Sequence, residues 1–193
     1  MTFLPENILP DWAQDYSPER QGALATTEER MRFAIELSQR NVEQGSGGPF
    51  GAAIFESETG RLVSLGVNRV VAANCSLAHA EMTAIAMAQE RLGVYDLGGV
   101  GLANHELVTS CEPCAMCFGA IPWSGVKRVV CAATVEDAQA IGFDEGPKPG
   151  DWIEQLTQRG IKVVTEVLRP EAAAVLNLYK EKSGQIYNGR DLS

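Results

Sequence analysis

His79, Ala80 and Glu81 open the stretch HAEMTAIAMA, and His79 is one of only two histidines in the chain. Further on, CEPCAMC sets Cys111, Cys114 and Cys117 at a spacing of three. Imidazoles and thiolates hold zinc, and a carboxylate beside them can carry protons. His79 and Glu81 are two apart and cannot share a face in mid-helix. At a first turn, both can point forward of the axis toward one centre. Cys114 and Cys117, three apart, lie on one side of a helix. Pro113 suits the first turn of that helix, whose positive end favours the thiolate of Cys114.

One imidazole and two thiolates make three ligands, the number expected of a catalytic zinc site that keeps its fourth position for water. Zinc lowers the pKa of such a water to about 7. Glu81 is then the group that receives its proton and hands it to a substrate. H-x-E followed by P-C-x-x-C is the signature of zinc-dependent nucleobase deamination. Each half is weak alone. C-x-x-C can be a redox pair, and an acid at a helix N-terminus can be there only for the dipole. Recruiting Cys111 as a fourth ligand would close the site and make it structural. The residue before Pro113 is pushed toward extended geometry, so Cys111 is expected ahead of the helix, buried by packing. Cys75 and Cys131 read as buried small hydrophobes, and His105 as a loop or surface residue.

These side chains need a frame. A chain of 193 residues, 45% hydrophobic and 21% charged, fits one domain with a proper core. Residues 1–27 carry Pro5, Pro10 and Pro18 and read as an irregular arm or a poorly formed short helix. Thr27 can cap a helix running to Gly45. FGAAIFE and RLVSLGVN read as strands joined by a turn. There follow a helix from His79 to Arg91, a strand at ELVTS, a helix from about Cys114, and a strand at KRVVCAA. WIEQLTQRG is a helix, IKVVTEVL a strand, and PEAAAVLNLYKEK a final helix with proline in its first turn. A hairpin followed by alternating helices and strands predicts a three-layer α/β/α domain over 28–182, with a central mixed sheet of five strands and a tail at 183–193.

The net charge of −9 counts against a phosphate-backbone partner. No apolar run is long enough to span a bilayer, and MTFLPENILPDW lacks the pattern of a secretory signal. Three of the five cysteines crowd one string, which suits metal ligation in a reducing cytoplasm better than disulfides.

GPFGAAIF, NRV, HAE and CEPCAMCFGAIPWSGVKRVV follow one another in an order that resembles the cytidine-deaminase-like superfamily, over roughly residues 28–165. Within it, GGPFGA, TSCEPC and IGFDEGP are most similar to the bacterial-type zinc guanine deaminases, some of which also take ammeline-like triazines. The resemblance implies one zinc held by His79, Cys114 and Cys117, with Glu81 as proton shuttle. It implies that Asn68 hydrogen-bonds the base, Phe50 stacks on it, and Ala80 offers it a backbone N–H. Glu145 becomes a second carboxylate that helps the amine leave. It further implies a homodimer whose C-terminal segment, here GQIYNGR with Tyr187, crosses to the partner's active site. The chain departs from the family pattern in its longer proline-rich leader and in Ala115, where proline often follows the first cysteine. Cytosine or cytidine deamination, tRNA adenosine deamination and a non-catalytic zinc module are the competing readings.

Overall fold

Strand β1 (Gly51–Glu56) sends Ala53 and Phe55 to one face and Ala52 and Ile54 to the other, and all four are fully buried in the computed structural model, which describes residues 8–189. A strand buried on both faces needs a helical layer on each side. Helices α1 (Thr27–Glu43) and α6 (Arg169–Glu181) cover one face, with Met31, Leu37, Val175 and Leu176 packing around Phe55 and Val108. Helices α2 (Ala80–Leu92), α3 (Ala115–Ser124) and α5 (Trp152–Gln158) cover the other, with Ile85, Ile121 and Leu156 against Ile54, Leu107 and Val129.

Strands β2 (Leu62–Val67), β3 (His105–Cys111), β4 (Arg128–Ala133) and β5 (Lys162–Val164) complete a five-stranded sheet in the order β2-β1-β3-β4-β5. The first two pairings, β1 with β2 and β1 with β3, are antiparallel. Those of β4 with β3 and β5 are parallel. The sheet is therefore mixed and the architecture is the expected three-layer α/β/α sandwich.

Local differences from the sequence reading have physical causes. Helix α1 is capped by Thr26, not Thr27. The Thr26 hydroxyl accepts from the Glu29 N–H at 3.2 Å, and the Glu29 carboxylate accepts from the Thr26 N–H at 2.8 Å. Helix α3 begins at Ala115 with Cys114 as its N-cap, so Pro113 precedes the helix instead of lying in its first turn. Strand β5 stops at Val164 because Glu166 and Leu168 turn into positive φ. A helix that was not expected, α4 (Val135–Ala140), carries its own capping box between Thr134 and Asp137. In the arm, Asp11–Tyr16 forms a short 3-10 helix. Residues 1–7 and 190–193, with Arg190 of the GQIYNGR string, lie outside the described residues.

Gly66 of β2 governs where α2 starts. A Cβ there would come within 2.2 Å of the Ala80 carbonyl oxygen and 2.6 Å of the Ala84 nitrogen. The first turn of α2, which follows His79, thus lies directly on the sheet. At the opposite end of the strands, Glu106 is fully buried between Arg30, which it pairs with directly, and Arg128, at 2.6 Å. Removing one partner of a buried pair strands the other charge, at a cost of about 3–5 kcal/mol. Glu106→Gln should therefore lower unfolding stability by about that amount in chemical denaturation. Arg30→Met should cost less, because the part-exposed Arg128 still pairs with Glu106. Equal effects of the two substitutions would contradict this assignment.

Candidate active site

His79 is the N-cap of α2 and Cys114 the N-cap of α3, so the two helix starts face one another. The His79 Nδ1 lies 3.5 Å from the Cys114 Sγ and 3.6 Å from the Cys117 Sγ. All three ligand atoms fall within 4.8 Å of one another. Zinc bonds of about 2.3 Å to sulfur and about 2.0 Å to nitrogen, set at a tetrahedral angle, give an N···S edge of roughly 3.6 Å. The cluster therefore has both the donor chemistry and the spacing of a zinc site, with Nδ1 as the ligating nitrogen. Cys111 stays out of it. It closes β3, is buried, and directs its thiol to the Thr134 carbonyl oxygen at 3.6 Å. No fourth sulfur joins the cluster among the described residues.

Glu81 sits in the first turn of α2 and is buried. Burial, reinforced by the negative Cys114, raises its pKa, while His79 opposes the shift. Glu145 is buried too, contrary to the solvated loop acid its sequence context alone suggests. In the metal-free protein, burial followed by the charges of Cys114 and Glu81 pushes it up to about 8, with Lys148 pulling the other way. The backbone fixes Glu145 in place, since its carbonyl accepts the Ala115 N–H at 2.9 Å and so ties the acidic loop to the first residue of α3. Lys148 adds a second tie. Its Nζ donates to Glu112 at 3.0 Å and lies 4.5 Å from the centre of the Trp152 ring.

A cavity of about 260 Å³ lies above these groups, and its wall includes Phe50, Asn68, His79, Glu81, Cys114, Glu145 and Tyr187. Of the site residues expected from the sequence, the fully buried Cys117 is absent from the wall, and so is Ala80. Its side chain is fully buried. Phe50 meets Phe143 edge-on at 5.0 Å, and Phe143 meets Tyr187 at 5.4 Å, giving the cavity an aromatic side. Burial raises the Tyr187 pKa, so its hydroxyl stays protonated. The tail covers the site of its own chain, where the Asn188 Oδ1 accepts the Asp144 N–H at 2.9 Å and its Nδ2 donates to the Gly142 carbonyl at 3.1 Å.

Glu112, Phe143 and Asn188 line the wall without having been singled out. Each sits inside a string already quoted, but none carries a spacing signal. Two minor expectations are overturned. His105 is buried at the start of β3, with its Nδ1 2.7 Å from the Leu97 carbonyl oxygen. Cys75 is half-buried in a turn, not packed in the core. Cys131 is buried as expected.

Residues 24–133 match the family model described as the cytidine and deoxycytidylate deaminase zinc-binding region, and the chain belongs to that family. It is a zinc-dependent hydrolytic nucleobase deaminase. Among named relatives, guanine deaminase of Bacillus subtilis (strain 168) is 44% identical over 115 residues, covering 60% of this chain and 69% of that protein. The solved guanine deaminase from Nitrosomonas europaea superposes with a TM-score of 0.87 at 46% identity, covering 94% of this chain and 98% of the other. A solved variant in complex with 8-azaguanine gives a TM-score of 0.88 at 46% identity, covering 94% and 99%.

In the metal-free protein, the Cys117 thiol and then His79 hold the Cys114 pKa down to about 4, whereas Cys117 and Cys111 are raised well above the usual thiol range. Cys114 is therefore the cysteine of the cluster that ionises most readily. Metal-stripped protein treated with iodoacetamide near pH 6 should be modified at Cys114 before Cys117 or Cys111, and equimolar zinc should protect it. Peptide mass spectrometry reads both outcomes. Modification of Cys111 first, or no protection by zinc, would contradict the arrangement.

Proposed function

We propose that the chain hydrolyses guanine to xanthine and ammonia, with amino-triazines of the ammeline type as further substrates. The observation that carries this reading is the pair of buried carboxylates in one cavity. Glu81 stands beside the candidate metal ligands, and Glu145, its pKa raised chiefly by burial, is suited to hold a proton. A proton acceptor for water and a separate proton donor for a departing amine are what a hydrolytic deamination needs. The cavity lies just below the usual range for drug-sized ligands, which suits a single flat base. The likeness to two guanine deaminases supports the choice of base.

His79, Cys114 and Cys117 would hold zinc, which when bound supplies a water acidic enough to lose a proton at neutral pH. The remaining work belongs to the chain. Guanine lies flat near Phe50 and His79, with the Asn68 carboxamide fixing its polar edge. Glu81 takes the water's proton and delivers it to the ring nitrogen beside C2 as the water oxygen bonds to that carbon. C2 is then tetrahedral. Glu145 protonates the exocyclic amine, the C–N bond breaks and ammonia leaves. The C2 hydroxyl meanwhile gives its proton to the ionised Glu81 and becomes the xanthine carbonyl, and that proton returns to Glu145 through solvent.

The competing readings make different demands. Docking the anticodon arm of a tRNA calls for a basic surface, and the chain's net charge is −9. A pyrimidine deaminase would prefer cytosine or cytidine. Ammonia release by the zinc-loaded protein from guanine, cytosine, cytidine, adenine and ammeline separates the readings, with guanine expected to be fastest. Faster release from cytosine would overturn the assignment. Glu81→Gln should keep zinc and lose about 10²–10⁴-fold in kcat. Glu145→Gln should keep zinc and fold while slowing guanine turnover, and an unchanged rate would remove it from the site.

The same reading has the enzyme working in the cytoplasm as a homodimer. All five cysteines are free, which suits a reducing compartment, and no described helix is long and apolar enough to cross a membrane. Tail exchange would place a second copy's Tyr187 where this chain's own tail lies. Mixing Glu81→Gln with Tyr187→Ala, each poorly active alone, tests the exchange. Exchanged tails should restore activity at the site that keeps Glu81 and receives an intact tail. No gain over the separate variants after subunit exchange would exclude it.

A further inference from the structure

The N-terminal arm has no part in the chemistry described so far, yet it is firmly attached. Arg40 of α1 lies 5.3 Å from the Trp12 ring centre and 5.1 Å from that of Tyr16. Its guanidinium also donates to the Tyr16 hydroxyl at 3.0 Å and to Asp15 at 3.2 Å. Tyr16 in turn donates to Glu36 at 2.7 Å. These contacts seat the 3-10 helix on α1 and bring Trp12 to the loop that follows it.

From Trp12 a chain of hydrogen bonds runs inward. The Trp12 Nε1 donates to the Ser46 hydroxyl at 3.0 Å, and that hydroxyl donates to the Asn41 Oδ1 at 2.8 Å. The Asn41 Nδ2 then donates to two carbonyl oxygens, Gly48 at 2.8 Å and Asn68 at 2.9 Å. Asn41 and Asn68 are both buried. The chain has a direction. An indole N–H can only donate, so the Ser46 hydroxyl must accept it and pass its own proton onward. The hydroxyl also lies 3.2 Å from the Asn41 backbone carbonyl, and it is the two carbonyls served by the Asn41 NH₂ that turn the Asn41 side-chain oxygen toward Ser46. A flipped Asn41 amide would set oxygen against both.

The loop itself leaves no slack. A Cβ on Gly47 would come within 1.9 Å of the Asn68 carbonyl oxygen and 2.7 Å of the Asn41 Nδ2. The neighbouring Arg69 donates to the Ser46 carbonyl, gripping the loop from the other side. Asn68, whose N–H donates to the Phe50 carbonyl at 3.0 Å, thus has its own carbonyl fixed by Asn41 and this loop, and its side chain lines the cavity.

We propose that the N-terminal arm is a positioning device for the base, in which Trp12 sets Asn68 through Ser46 and Asn41. The proposal rests on reading Asn68 as the base's polar contact. Trp12 and Ser46 are positioning residues and touch neither substrate nor metal ligands.

The test uses the full, zinc-loaded chain and three variants. Trp12→Phe keeps an aromatic ring beside Arg40 and deletes the N–H together with the second ring of the indole, Ser46→Ala removes the hydroxyl, and Ser46→Thr retains it. Trp12→Phe and Ser46→Ala should raise KM for guanine roughly three- to tenfold, the loss of about one hydrogen bond, with kcat within about twofold and zinc content unchanged. Ser46→Thr should restore the parent KM. The Asn68 side-chain amide resonances, read by ¹⁵N NMR, should shift in the first two variants and return in the third. Unmoved Asn68 resonances would overturn the proposal whatever KM does, and so would a fall in kcat and zinc content at constant KM. Should the parent protein leave guanine untouched, the substrate assignment fails, and the Asn68 resonances alone decide whether the arm sets that residue.

Discussion

The structure depends on a single geometric requirement, that one imidazole nitrogen and two sulfurs be held a tetrahedral edge apart. No local segment can satisfy it, because the ligands come from two helices that share only a few direct contacts. Each helix is instead referred to the sheet. Gly66 lets the first turn of α2 lie on β2 with no side chain between them. β3 runs straight through Cys111 into Glu112, Pro113 and Cys114, so the last strand residue fixes the helix start three residues later. The adjacent pairing of β1 with β2 and with β3 then sets the distance between His79 and the cysteines. The long apolar run of each strand follows from this, since only a sheet covered on both faces is rigid enough to serve as the common reference.

Once the donors are fixed, electrostatics settles what else can stand nearby. Cys114 is held as a thiolate, and its negative charge contributes to the raised pKa of both Glu81 and Glu145. Three acidic groups around one cavity cannot all ionise cheaply in a desolvated space. Their protons become shared property of the site, which is the condition for moving them during a reaction. Lys148, tethered to Glu112 and lying over Trp152, limits how far Glu145 drifts. A bound dication would act in the same direction on all three acids.

The metal centre was legible in the sequence because its signals are local. H-x-E and C-x-x-C fix types and spacings, and Pro113 ahead of Cys114 and Cys117 excludes Cys111 from the helix. The sandwich was legible for a similar reason, since strands buried on both faces read as apolar runs between periodic helices. What sequence patterns could not show was set by contacts distant in the chain. His105 looks like a loop residue until Leu97 is seen to cap its ring, and Glu145 looks solvated until α3 and the tail close over its loop. The helix cap failed by one residue because Thr26 and Thr27 are chemically equivalent, and only Glu29 at the third helical position selects the first of them. The short helix α4 did carry a signal, Thr134 followed three residues later by Asp137, of the kind that marks a capping box.

The division between rigid and loop-borne groups bears on how such a fold can serve different substrates. The candidate ligands and Glu81 stand on helix starts pinned to the sheet. Asn68, Phe50, Glu145 and Tyr187 stand on connections, each held by a segment outside the sheet: the loop after α1, the hinge before β1, the turn before α5 and the tail. Loops can change length and sequence without disturbing the strands, so the cavity-lining groups on connections can change while the candidate ligand cluster stays fixed. Mobility is the accompanying risk, because a loop residue misplaced by an ångström loses much of its orienting power. The hydrogen bonds at Asn41, Asn188 and Ala115 counter that risk. Each ties a loop that lines the cavity to a neighbouring helix, loop or tail, giving loop-borne residues a fixity close to that of the helix starts.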